Sequence, residues 1–107
     1  MPESADRRAE TRMAVNAGTS CSFVAPIVTD IGPAKVKDIS MQGVGLILGR
    51  RVEQGSMLAI TLTNPAKGFV KTVIVNVVHV TAQPGGCLVG GIFTTPLTYQ
   101  ELTALVL

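Results

Sequence analysis

The sequence predicts an all-β domain of five or six antiparallel strands, a small barrel or sandwich, closed by one short C-terminal helix. Three observations carry this. Val, Ile, Leu and Thr dominate from residue 19 onward, and most of these suit a pleated, half-buried surface. Turn-forming clusters recur every several residues, at TDIGP (29–33), NPAKG (64–68) and QPGG (83–86). Only the last segment, from Leu97, changes to a helical pattern. At 107 residues the chain has the size of one domain. With 47% hydrophobic and 15% charged residues, global disorder is excluded.

The elements follow in order. Residues 1–18 are polar, with charges dense from Glu3 to Arg12, and are expected to form a mobile arm in the absence of a ligand. Residues 19–107 then make the β domain and its helix. TSCSFVAPIV (19–28) reads as the first strand, with Pro26 at an edge or bulge. KVKDIS (35–40) and GVGLIL (43–48) form a strand pair about Met41–Gln42. Strict alternation would put Val36, Asp38 and Ser40 on one face and Lys37 and Ile39 on the other. RRVEQGS (50–56) is a loop. In MLAITLT (57–63), Leu58, Ile60 and Leu62 point inward. FVKTVIVNVVHVT (69–81) is long enough that it should bend or be buried on both faces, and CLVGGIF (87–93) returns along it. Thr98 and Glu101 have capping-box spacing, Leu97 can staple to Leu102, and Leu102, Leu105 and Val106 form the apolar stripe of the helix.

Several classes of function are disfavoured. The single histidine, His79, lies within the longest strand and reads as a structural or surface residue, not a catalytic one. No nucleophile elbow, zinc-binding helix motif or Walker-type phosphate loop occurs, and the carboxylates are scattered, so no enzyme is expected. Cys21 and Cys87 are read as small apolar strand residues, not as a disulfide. No cofactor or metal site is expected. The net charge of +2 and four aromatic residues (Phe23, Phe69, Phe93, Tyr99) argue against a DNA- or RNA-binding barrel. No signal peptide and no membrane-spanning run is visible, so a soluble, cytoplasmic protein is expected. Oligomeric state is left open.

Two short motifs remain. Arg8 and Arg12 form an Arg-x-x-x-Arg, with Arg7 just before it. Alone this describes a solvated basic arm. An arginine fork can nevertheless bind a phosphate through two parallel hydrogen bonds, address guanine O6 and N7, or stack on a purine. Asp38-Ile39-Ser40-Met41-Gln42-Gly43 is an Asp-x-Ser-x-x-Gly. Its plain reading is a strand ending in a turn with local hydrogen-bonders. Its functional reading is a carboxylate for guanine N1–H and N2–H, a hydroxyl beside it, and a glycine where backbone approaches a ligand.

The two motifs together, followed by a small aliphatic β domain, resemble the PilZ domain family. The resemblance extends to Val89-Gly90-Gly91-Ile92-Phe93, Pro96-Leu97 and the capped helix, and covers residue 7 to the end. It implies a six-stranded antiparallel β-barrel with a short C-terminal α-helix, acting as a cyclic di-GMP receptor. By position it implies ligand-binding roles for Arg8, Arg12, Asp38, Ser40 and Gly43. Arg7, at the place just before the first motif, implies an intercalated nucleotide dimer as ligand. Gly90 is either a packing glycine or a point of close approach to a base. Arg50 and Arg51 fall outside both motifs and read as a solvated loop. The implied output is an arm ordered by the nucleotide and offered to a downstream protein in trans. The alternatives are a PilZ-like interaction module that binds no nucleotide, a single-stranded nucleic-acid barrel, and a flavin-binding barrel.

Overall fold

The computed structural model describes residues 12–25 and 34–107. Six strands follow in order: β1 (Ser20–Ala25), β2 (Ala34–Ile39), β3 (Gly43–Leu48), β4 (Met57–Asn64), β5 (Phe69–Gln83) and β6 (Gly86–Phe93). A 3-10 turn, Pro65–Lys67, joins β4 to β5, and helix α1 spans Tyr99–Val106. All neighbouring strands are antiparallel, in the order β1-β4-β5-β6-β3-β2. The sheet curls into a half-barrel that brings its edge strands β1 and β2 close together.

Alternation sets inside and outside. Leu58, Ile60 and Leu62 of β4 and Val73, Val75 and Val77 of β5 face the core, as period two requires. Val44, Leu46 and Leu48 of β3 and Cys87, Val89 and Phe93 of β6 join them. Aliphatic side chains thus make nearly the whole interior, and their removal from water is its main stabilising term. Long β5 is buried on one face only and bends at a bulge between Val77 and His79. The first strand ends at Ala25, and Pro26–Val28 of the predicted segment lie outside the described residues.

Both thiols are free. Burial pushes the Cys21 thiol up to about 11, so it stays protonated and unreactive at neutral pH. The Cys87 Sγ donates to the Arg50 carbonyl at 3.3 Å.

Helix α1 forms as its capping box predicts. Thr98 Oγ1 accepts from the Glu101 N–H at 3.1 Å, and the Glu101 carboxylate accepts from the Thr98 N–H at 2.9 Å. Leu97, Leu102 and Leu105 enter the core, so packing holds a helix of only eight residues. Lys71 Nζ donates to Glu101 Oε2 at 2.6 Å. That bond, then the bond from Thr98, holds the Glu101 carboxyl below its usual range. A lowered native value means a contribution present above the unfolded-state value and lost as pH falls through the native one. Thermal stability should therefore drop on acidification below about pH 4. Glu101→Gln should flatten that part of the profile; an unchanged profile would remove Glu101 from the account.

Candidate functional site

Arg12 of the first motif meets Asp38 of the second on the outer face of the half-barrel, at the β2 edge. Arg12 donates through one guanidinium nitrogen to Asp38 Oδ1 at 3.0 Å, and Lys37 Nζ lies 3.5 Å from Asp38 Oδ2. Two backbone bonds hold Arg12 there. Met13 N–H donates to the Ile39 carbonyl at 2.9 Å, and Ile39 N–H donates to the Met13 carbonyl at 2.8 Å. Met13 therefore adds a one-residue bridge to the edge of β2.

Asp38 is placed by a bulge. Pairing between β2 and β3 slips between Val36 and Asp38, so Val36 and Ile39 both point inward while Lys37 and Asp38 lie between them toward solvent. This corrects the strict alternation expected from the sequence: Val36 does not share a face with Asp38. Ser40 is also not displayed beside Asp38. It is 1% exposed, and its Oγ accepts from Gln42 N–H at 3.2 Å and Gly43 N–H at 3.1 Å. Ser40 thus holds the β2–β3 turn, the local role weighed for it from sequence.

The same turn is clamped from outside the motif. Phe93 N–H donates to the Gln42 carbonyl, and Leu97 N–H to the Met41 carbonyl. Gly43 is required by packing, because a Cβ there would collide with the Gly91 carbonyl oxygen.

A transverse row continues from Asp38 across three strands. Asp38 pairs with Gly45, Gly45 with Gly90, and Gly90 with His79. A Cβ on Gly45 would lie 2.5 Å from Asp38 Oδ1, and one on Gly90 would collide with the His79 imidazole. The Asp38 carboxylate and the His79 ring therefore lie over bare backbone. The β5 bulge sets this up, since Val78 and His79 are both exposed beyond buried Val77. Gly91, by contrast, faces inward, where a Cβ would strike the Val75 side chain.

Arg12, Val78, His79, Gly90, Gly91 and Ile92 line a shallow cleft of about 190 Å³. Of the residues singled out from sequence, the structure thus brings Arg12, Asp38 and Gly90 to one place, with Ser40 and Gly43 beneath them as turn-formers. Arg7 and Arg8 lie outside the described residues. No sequence motif marks Gly45 and His79 as neighbours of the site. Only the cross-strand register reveals them, and a bulge leaves no mark in a strand sequence. Arg50 and Arg51 are exposed in the β3–β4 connection. Among the described residues no cluster of His, Cys, Asp or Glu could hold a metal ion. Nor is any helix among them long and apolar enough to cross a membrane.

A curled antiparallel sheet with a motif-bearing hairpin at its edge and a capped helix at its end defines a small, mostly β domain. The PilZ domain model matches residues 6–107, and the chain belongs to the PilZ domain family. That family is one of ligand-binding receptor domains, in general for cyclic di-GMP. Comparison with curated proteins and with solved structures returned no significant match.

Proposed function

We propose that this domain is a cyclic di-GMP receptor whose guanine seat lies on the outer face between Asp38 and His79. The observation that carries the reading is the 3.0 Å pair of Arg12 and Asp38, one residue from each motif, 26 positions apart in sequence. Asp38 accepts from guanine N1–H and N2–H. Arg12 supplies its fork to a phosphate or to a guanine edge. Gly45 and Gly90, having no Cβ, let the Asp38 carboxylate and the His79 ring lie close against the sheet, and these two groups border the seat. Ser40 and Gly43 act by fixing the turn that carries Asp38.

The cleft of about 190 Å³ is smaller than pockets that enclose a whole ligand, typically ~300–1,000 Å³. It suits one base, with the phosphates held by arginines at its rim. Arg8, and Arg7 with it, are assigned there on the motif alone, and Arg7 favours an intercalated nucleotide dimer.

The ion pair is partly solvated, with side chains 35% and 27% exposed, so exchanging it for nucleotide contacts costs little. Ligand-driven ordering, expected from sequence for residues 1–18, is proposed only for the part before Arg12. Protein bonds already hold Met13, Asn16 and Thr19. The ordered arm then presents a changed surface to a downstream protein. Calorimetric titration with cyclic di-GMP tests the reading. Saturable heat and a rise in melting temperature are expected; no heat and no thermal shift at saturating nucleotide would overturn it.

A further inference from the structure

The last turn of α1 holds no basic residue that could satisfy its carbonyls. The arm and β4 supply partners instead. Asn16 N–H donates to the Leu105 carbonyl at 2.9 Å, and Asn16 Nδ2 to the Ala104 carbonyl at 3.3 Å. Thr19 Oγ1 lies 2.9 Å from the Leu105 carbonyl and 2.8 Å from Asn16 Oδ1. At the centre is Asn64, the last residue of β4, 1% exposed. Its Nδ2 lies 2.8 Å from Asn16 Oδ1, 3.2 Å from Thr19 Oγ1 and 3.1 Å from the Ala104 carbonyl.

Its Oδ1 is buried without a hydrogen-bond partner among the described residues. Rotating the amide would not help, because it would set that oxygen against the Asn16 and Ala104 acceptors. The orphaned oxygen is the cost of aiming both amide hydrogens at the arm and the helix. Gly18 leaves that oxygen its room, since a Cβ there would lie only 3.0 Å from it.

The arm thus has two anchors, Met13 on β2 and Asn16 on Asn64 and α1. Three residues of chain span at most ~11 Å, so little slack separates them. The first anchor sits beside Arg12 and Asp38.

We propose that Asn64 is a positioning residue of the nucleotide site. Through Asn16 and Thr19 it holds the arm where Arg12 meets Asp38, and it makes the C-terminal turn of α1 sense the nucleotide. This rests on the cyclic di-GMP reading above. Because coupling is reciprocal, a nucleotide that tightens the arm also tightens that turn, and loosening the clasp weakens nucleotide binding.

The test uses the full chain and cyclic di-GMP, with hydrogen exchange of the amides of Thr103–Leu107 and calorimetric affinities. Asn64→Asp keeps the shape and removes the donors. Asn16→Ala breaks the clasp from the arm side and serves where the first variant folds poorly. In the wild type, saturation should slow exchange at Thr103–Leu107. In either variant that response should vanish and affinity should fall about fivefold or more. In an Arg12→Ala background the same substitution should cost little further affinity, which a merely structural role would not predict. Nucleotide binding without a change in exchange, or losses for Asn16→Ala and Arg12→Ala that multiply independently, would overturn the coupling alone. A wild type that binds no cyclic di-GMP would overturn it together with the receptor reading.

Discussion

Replacing Asp38 by alanine should lower the affinity for cyclic di-GMP by about 1.5–3 kcal/mol, on the order of 10- to 100-fold, the range for a hydrogen bond to a charged group. Two losses combine in this one change. The guanine seat loses its acceptor, and Arg12 loses the carboxylate that holds it at the cleft. The fold should scarcely notice. The pair is partly exposed, such pairs contribute roughly 0–1 kcal/mol, and the Asp38 side chain lies outside the core. The measurement is a calorimetric titration beside a thermal melt. Asp38→Asn separates charge from shape, and should bind more weakly than the wild type with the same melting temperature. An affinity untouched by both substitutions would remove Asp38 from the site.

Gly43→Ala should act in the opposite way, through the fold. The added Cβ meets the Gly91 carbonyl oxygen, which is backbone and cannot rotate aside. Gly43 pairs with Ile92 in the β3–β6 ladder, and the turn before it is tied to Phe93 and Leu97. The two strands must part for the methyl group to fit. Overpacking of this kind costs about 1–3 kcal/mol, a fall in melting temperature of roughly 5–20 °C in a domain of this size. Circular dichroism against temperature reads it directly. An unchanged melt would mean that β3 and β6 yield at this point. The motif glycine would then owe its place to the ligand alone.

These predictions divide the Asp-x-Ser-x-x-Gly motif by physical role. Asp38 faces outward and is available to a ligand, whereas Ser40 and Gly43 build the turn that carries it. Regarded only as a pattern, the motif invites all three to be ligand contacts. The first motif divides as well. Arg12 is held at the cleft by its neighbour Met13, so the arm is anchored from that point on, and a free arm reaching Gly18 is not what the bonds of Met13 and Asn16 describe.

Much of this protein was legible in its residues. Alternation placed Leu58, Ile60 and Leu62 in the core because a strand has a period of two and water excludes aliphatic side chains from one face. Thr98 and Glu101 announced the start of α1, since a capping box is a local arrangement complete within four residues. The two motifs pointed to the family, which the PilZ match over residues 6–107 shows. What only tertiary structure decided are relations between strands distant in sequence. The bulges in β2 and β5 turned Asp38 and His79 outward, and pairing through β3 and β6 laid Gly45 and Gly90 between them. The Asn64 clasp likewise joins residues 16, 64 and 104, which no local window contains. Periodicity and capping are short-range properties of the chain. Register, bulges and buried amide networks are settled only when the whole sheet closes on its core, and the candidate site is built from these.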